Sequence, residues 1–127
     1  MADRDFSGVA TTTVLVPTAK TSTYTSSAID TQQFEGDWLV VLNSAAGTGT
    51  TPTLDGKMRS DPASGGSYAD ITGATFTSID ETAGGSCQII RVAKNSHDRY
   101  VKFVGTIDGT CPSFIFGVNI LSRNKAL

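Results

Sequence analysis

The residues of this chain that could support catalysis fall in short polar segments. Ser96, His97 and Asp98 are consecutive, and the carboxylates offer three pairs: Asp80 with Glu81, Asp30 with Glu35, and Glu35 with Asp37. A serine nucleophile, its base and the orienting acid must converge from separate elements, which three neighbouring loop residues do not do. A carboxylate pair is the machinery of a glycosidase, but Asp and Glu also fill turns by bonding to the backbone. We therefore predict no catalytic residues and a solvated turn at His97.

Metal, cofactor and redox sites are not predicted either. His97 is the single histidine, which excludes the common zinc sites unless carboxylates dominate them. The glycine pairs at 65–66 and 84–85 have no helix after them to place N–H groups around a phosphate. Cys87 and Cys111 lack the close spacing of a zinc or redox motif, so we expect two buried thiols. The alternative is a cross-strand or inter-subunit disulfide formed after release from the cell.

Aromatic residues suggest one binding function, the stacking of sugars on exposed rings. Tyr24, Tyr68 and Tyr100 are the candidates for such a platform. Trp38 lies in a strongly apolar segment, so we expect it in the core instead. Carbohydrate binding is therefore kept as an alternative function that requires an exposed row of tyrosines.

Charge and hydropathy argue against nucleic-acid and membrane binding. The net charge is −2, the pI is about 5.1, and the basic residues are scattered singly, with Lys57 and Arg59 the nearest to a cluster. Counterion release on nucleic acid needs a concentrated basic face. The apolar runs 38–42 and 114–121 are much shorter than the roughly 20 residues of a spanning helix. The polar first residues do not form a signal peptide, so we expect a soluble protein made in a cytoplasm.

Runs of Thr, Val, Ile, Phe and Tyr separated by Gly, Asn, Asp and Ser predict strands along the whole chain. We expect Pro17 to end the first strand, both faces of segment 38–42 to be buried, and Asp108–Gly109 to turn the chain. Asp55–Gly56 is assigned to a strand, although the pair is also a hairpin-turn signal. The predicted strands cover residues 11–16, 22–29, 38–42, 53–60, 68–71, 75–79, 87–93, 100–107 and 113–121.

About eight short strands with turns between them predict an all-β, antiparallel β-sandwich or jelly roll. Alternation along two strands places Leu54, Gly56 and Met58 on an inward face, together with the odd-numbered residues of 101–107. We predict a single domain at 11–121, an extended N-terminal arm at 1–10 and a polar C-terminal tail at 122–127.

From Asp30 onward the order of features resembles small virion proteins encoded among the head genes of tailed bacteriophages. The matching segments are Asp30 with Phe34-Glu-Gly36, Trp38 to Asn43, Leu54 to Asp61, Tyr68-Ala-Asp-Ile71 and Arg99-Tyr-Val-Lys102. The resemblance covers about two-thirds of the chain. The cysteines and segment 83–87 are not part of the family pattern, and the N-terminal arm has no counterpart in it.

The resemblance implies a non-enzymatic capsid decoration, or cement, protein. Such a protein binds the major capsid protein on the outer surface of the head, as a homo-oligomer on the virion, after synthesis in the host cytoplasm. Phe6 and Val9 are the apolar residues that the N-terminal arm could insert between capsid subunits. A carbohydrate-binding or adhesive head-fibre module remains the alternative.

Overall fold

Strands are the only regular secondary structure that the computed structural model contains within the residues it describes, 9–82 and 86–124. Every pairing between strands is antiparallel, so the predicted all-β antiparallel class is confirmed. The strands are β1 (Val9–Lys20), β2 (Tyr24–Thr25), β3 (Ile29–Asp30), β4 (Trp38–Ser44), β5 (Thr48–Asp61), β6 (Ala69–Thr75), β7 (Ser86–Val92) and β8 (Tyr100–Arg123).

The long strand β8 is the centre of the fold. On one side it pairs with β5 and then with β4, and on the other side it pairs with β3, β2 and β1. The remaining strands lie further out, because β6 pairs with β5 and β7 pairs with β4. The order across the sheet is therefore β6-β5-β8-β4-β7.

β8 passes from one sheet into another along its length. Its first half pairs with β2, β3 and β5, which together with β6 form sheet B. Its second half pairs with β1 and β4, which together with β7 form sheet A. Strands that bend from one sheet into the next wrap both sheets around one core. The result is a sheet that curves until it is nearly a barrel.

The core lies inside this curved sheet, on the inner faces of its strands. The ring of Phe103 lies at its centre, with ring centroids 6.2 Å from those of Phe76 and Phe116. Burial of such side chains stabilises the fold by about 25 cal/mol per Å² of apolar surface. The buried apolar residues are Trp38, Val40, Leu42, Leu54, Met58, Ile71, Ala74, Phe76, Ile79, Val92, Val101, Phe103, Ile107, Phe114, Phe116, Val118 and Ile120.

Two facing glycines make room for the ring of Phe103. Gly56 of β5 is the register partner of Gly105 of β8. A Cβ atom on Gly56 would lie 3.0 Å from Cε1 of that ring, and one on Gly105 would lie 3.1 Å from Cε2. The ring therefore occupies space that two side chains would otherwise fill. This explains why Asp55–Gly56 continues a strand as predicted and does not form a turn.

A side-chain amide joins the open edges of the two sheets. Gln88 of β7 donates from Nε2 to the carbonyl oxygen of Thr77 (3.0 Å) and accepts from the Thr77 N–H at Oε1 (2.8 Å). Thr77 lies in the segment after β6, which bonds to β5 through Phe76 and Ile79. Gln88 thus supplies the two bonds that a backbone partner would give.

The first strand is longer than predicted at both ends. β1 begins at Val9, so Val9 and Ala10 belong to a strand and not to the predicted arm, whose residues 1–8 lie outside the described part of the chain. The strand also continues through Pro17, which was predicted to end it. Register shifts on either side of Leu15 place Pro17 where no ladder N–H is needed. Likewise, β8 extends to Arg123, two residues into the predicted tail.

Two further predictions about the strands are wrong. Both faces of segment 38–42 were predicted to be buried, but the outward Leu39 and Val41 are only half-buried by the residues that the structure describes. The chain does not reverse at Asp108–Gly109, since β8 runs on to Arg123. Gly109 has a φ of +122°, and a Cβ there would lie 2.9 Å from the carbonyl oxygen of Thr51, so the absence of a side chain allows this close approach of β8 to β5. The inward alternation predicted for 54–58 and 101–107 is confirmed, as is Trp38 in the core.

Candidate contact surface

The outer faces of the two sheets differ in chemical character. Successive side chains of a strand point to opposite sides, so the register assigns each residue to the core or to the outside. The outward positions across sheet A are uncharged apart from Arg91 and Arg123 at one end. Those across sheet B are mostly charged: Asp30, Asp55, Lys57, Arg59, Asp61, Asp70 and Lys102. We call these surfaces the uncharged face and the charged face.

The uncharged face spans four strands and carries several accessible apolar side chains. Ile89 is 61% exposed, and its register partner Val41 is half-buried beside it. Leu39 and Leu121 are partners in the adjacent row and are also half-buried. The face consists of Thr11 and Thr13 of β1, Leu39, Val41 and Asn43 of β4, Cys87 and Ile89 of β7, and Asn119 and Leu121 of β8.

Charges appear only at one end of the uncharged face. Arg91, on the edge strand β7, is 73% exposed and lies 3.6 Å from Oδ2 of Asp37. A pair this exposed contributes little to stability, typically less than about 1 kcal/mol. Arg123 lies at the same end, opposite Val9 in the register.

Val9, one of the two residues predicted for capsid contact, lies at this end of the uncharged face. It is 42% exposed and lines an apolar hollow of about 330 Å³ together with Leu39 and Leu121. The strand holds Val9 in place, so it acts as a fixed side chain and not as part of a free arm. Phe6, the other predicted contact residue, lies outside the described residues.

Ion pairs fill much of the charged face. Asp70 bonds Lys57 (3.1 Å), and its Oδ1 lies 2.9 Å from Nε of Arg59 without the alignment of a hydrogen bond. The hydrogen bond from Lys57, with smaller contributions from both cations, lowers the pKa of Asp70. Opposite charges therefore compensate one another here, and the face does not concentrate one sign.

The three tyrosines do not form an open stacking platform. Lys102 Nζ lies 4.5 Å from the ring centroid of Tyr68. The guanidinium carbon of Arg99 lies 5.0 Å from the ring centroid of Tyr100. Burial, followed by the negative Asp61, raises the pKa of the Tyr68 hydroxyl. Tyr24 lies apart, half-buried under Lys20. A cation thus covers one face of each ring.

The predicted solvated turn is present, with residues 93–96, 98 and 99 exposed, but the ring of His97 is not solvated as predicted. Its ring is partly buried against Trp38, and Trp38 Nε1 donates to His97 Nε2 (2.9 Å). The reason is that Trp38, at the start of a core strand, buries an N–H that requires an acceptor. Ser96 bonds through its hydroxyl to the carbonyl of Ala93, and not to His97, so no nucleophile and base are brought together.

An ion pair ties the same loop to sheet B. Arg99 donates to both carboxylate oxygens of Asp30, from Nε (3.0 Å) and from Nη2 (2.8 Å). The hydrogen bond from Arg99, helped by the Gln32 N–H, lowers the pKa of Asp30 to about 2. Thr31 adds two more bonds, because its N–H and hydroxyl both donate to the Arg99 carbonyl.

The cysteines and the remaining acids do not form a site. Cys87 and Cys111 are exposed and free, so the prediction of buried thiols is wrong. Cys87 is an outward residue of β7, and Cys111 lies on β8 where the strand passes between the sheets. Asp80 accepts from the N–H and hydroxyl of Thr82, as a turn residue does.

Metal ligands do not cluster in the described residues, where no three side chains of His, Cys, Asp or Glu come together as a metal ion would need. None of the residues 9–82 and 86–124 forms a helix with the length and apolarity to cross a membrane. The chain matches no protein-family model, and comparison with curated proteins finds no relative.

Proposed function

We propose that this protein is a non-enzymatic virion protein that binds the outer surface of a tailed-phage head as a decoration, or cement, protein. The partner is the major capsid protein, and the decoration protein is a homo-oligomer on the shell, after synthesis in the host cytoplasm. The resemblance of residues 30–102 to virion proteins supports the assignment to phage particles.

The uncharged face is the observation that carries this proposal. The accessible apolar side chains of this face, Leu39, Val41, Ile89 and Leu121, form a patch of the kind that binds another macromolecule. Each Å² of apolar surface that a partner buries on Ile89 or Val41 would contribute about 25 cal/mol to the free energy of binding. The charged face lies on the other sheet and remains hydrated. A protein built in this way binds a surface through one side, as a decoration protein must.

The finer fold assignment belongs to the same proposal. We infer a β-sandwich or jelly roll in which sheets A and B are the two layers. The supporting feature is the shared strand β8, which crosses from one layer to the other, together with the core that lies between them. A rigid body of this kind resists deformation by the pressure inside a filled head.

The N-terminal residues extend the contact. Val9 lines the hollow at the end of the uncharged face, and Phe6 precedes it by three residues. A capsid loop that enters this hollow would bury Val9 together with Leu39 and Leu121. The hollow is therefore the part of the face where we place the deepest contact.

Co-sedimentation with purified heads tests the proposal. Heads of the phage that encodes the chain, stripped of this protein, are expected to bind it saturably and at many copies per particle. Ile89→Asp places a charge in the middle of the uncharged face and is expected to weaken binding at least tenfold. Val104→Asp, an equivalent change on the charged face beside Lys57, is expected to bind as the unchanged protein does.

Two results would contradict the proposal. One is the absence of the protein from purified particles when their proteins are identified by mass spectrometry. The other is equal binding by the Ile89→Asp and Val104→Asp variants, which would remove the uncharged face from the contact.

A further inference from the structure

The single histidine and the single tryptophan of the chain form one hydrogen-bonded unit. Trp38 Nε1 donates to His97 Nε2 at 2.9 Å, and the two rings meet edge to face with centroids 5.2 Å apart. Trp38 is 2% exposed. The other ring nitrogen, His97 Nδ1, lies 2.6 Å from the carbonyl oxygen of Asp98.

These two contacts determine the protonation state of the imidazole. An imidazole nitrogen that accepts a hydrogen bond carries no proton, so Nε2 is bare. A nitrogen that faces a carbonyl oxygen must donate, so Nδ1 carries the ring proton. The neutral tautomer with its proton on Nδ1 satisfies both contacts. The imidazolium carries a proton on each nitrogen, so its Nε2–H would face the indole N–H, which is also a donor.

We propose that His97 is an acid-sensitive latch that closes the segment 93–99 over Trp38. Addition of a proton to Nε2 replaces an acceptor by a donor, and the buried indole N–H loses its partner. A buried donor without a partner is unfavourable, so the imidazole swings away and lets water reach the ring. The movement widens a cleft of about 280 Å³ that Phe34, Trp38, His97 and Arg99 line.

Charged groups lie on both of the segments that flank His97. Lys94, Asp98 and Arg99 lie on its own segment, and Glu35 and Asp37 belong to the segment opposite. Arg99 is held by Asp30 of β3, whose pKa of about 2 keeps that pair ionised in weak acid.

Two further contacts of the segment with other elements are made by its backbone N–H groups. The Asp98 N–H donates to Ser60 of β5, and the Lys94 N–H donates to Asp37. Asp37 in turn lies beside Arg91, at the end of the uncharged face. A movement of segment 93–99 therefore reaches the border of that face through Asp37. The inference itself rests on the Trp38–His97 geometry and stands whether or not the protein binds a phage head.

The test uses the full chain and the single tryptophan as a reporter. Its fluorescence and its indole N–H resonance are followed from about pH 8 to about pH 4, where imidazoles gain a proton. The emission of Trp38 is expected to lose intensity and shift to the red, reversibly, and the indole N–H is expected to exchange faster with water. In wild-type protein the ring protons of His97 must titrate with the same midpoint.

Two variants separate the latch from other acid effects. His97→Gln offers a neutral amide oxygen to Trp38 and should make the emission independent of pH over this range. Asp98→Asn removes a nearby charge but keeps the backbone carbonyl, so it should titrate as the wild type does. An unchanged acid response in His97→Gln overturns the inference. So does a Trp38 transition with a midpoint different from that of the His97 ring, which is measured without any variant.

Discussion

Gln88 and Thr77 are joined by a reciprocal pair of hydrogen bonds, at 2.8 and 3.0 Å, across the opening between the two sheets. The amide of Gln88 also donates to Ser86 Oγ, 3.1 Å away, which holds the side chain in the required orientation. Edge strands whose backbone groups are left open invite pairing with other chains. The Gln88 side chain occupies the backbone groups of Thr77 and so protects this part of the edge from pairing with another chain.

Loss of this amide should destabilise the fold. Gln88→Ala removes both hydrogen bonds of Thr77, which is exposed and can bond to water instead, so the change should cost about 0.5–1.5 kcal/mol in the free energy of unfolding. Urea denaturation measures the difference. Arg91→Ala, an exposed change on the same strand, is the matched control and should stay within about 0.5 kcal/mol of the wild type. Equal effects of the two changes would show that the amide pair does not stabilise the edge.

A methyl group at Gly56 should also be costly. The new Cβ would lie 3.0 Å from Phe103 and 3.2 Å from Phe76, two rings in the middle of the core. Overpacking of this kind typically costs about 1–3 kcal/mol. Gly65→Ala is the control, because a Cβ there meets nothing within 4 Å. Thermal unfolding should show a lower midpoint for Gly56→Ala only, and equal midpoints would contradict the packing described for the Phe103 ring.

Acid should remove the contribution of the Asp30–Arg99 pair. The pKa of Asp30 is lowered from 3.8 to about 2 in the folded protein, so the pair stabilises the fold above about pH 3.8. The contribution disappears as the pH falls through about 2. Because both side chains are more than one-third exposed, we expect less than about 1 kcal/mol.

Urea denaturation of wild type and Asp30→Asn across this range measures that contribution. The two proteins should differ above about pH 3.8 and converge near pH 2. A difference that stays constant down to the lowest pH would exclude the ion pair as its source.

The accessible and the buried positions of sheet A should respond differently to truncation. Ile89→Ser changes a side chain that is 61% exposed and should alter the free energy of unfolding by no more than about 0.5 kcal/mol. Leu42→Ala empties a fully buried position and should cost about 2–5 kcal/mol. Guanidinium denaturation compares them, and a large loss for Ile89→Ser would mean that this residue is covered in the protein alone.

Both thiols should react in the native protein. Cys87 and Cys111 are exposed and free, so a chromogenic disulfide reagent should label two thiols per chain without denaturant. Cys87→Ser and Cys111→Ser should each leave one. A native protein that reacts only after unfolding would contradict the exposure of these side chains.

Local patterns were sufficient to predict most of the fold. Alternation identified the inward residues Leu54, Met58 and Phe103, and the antiparallel class follows from short strands with turn residues between them. Pairing over long distances was not predictable in this way. The passage of β1 through Pro17 and of β8 through Gly109 depends on partners that lie far away in the sequence.

The candidate surface was harder to predict than the core. Leu39 and Val41 look like core residues in the sequence, because a strand that is apolar on both sides is usually covered on both sides. The register of β4 with β7 and β8 shows instead that they share an outer face with Ile89 and Leu121. The contact between Trp38 and His97 spans 59 positions and has no local signal at all.

The position of β8 has a consequence for the synthesis of the protein. Five of the seven other described strands, β1 to β5, find their pairing partner in β8, which follows all of them in the sequence. Until β8 has been synthesised, β1, β2 and β3 have no partner strand, and β4 and β5 can pair only with β7 and β6. The complete sheet can assemble only after residues 100–123 have left the exit tunnel, and such pairing between segments far apart in the sequence is expected to make folding slow.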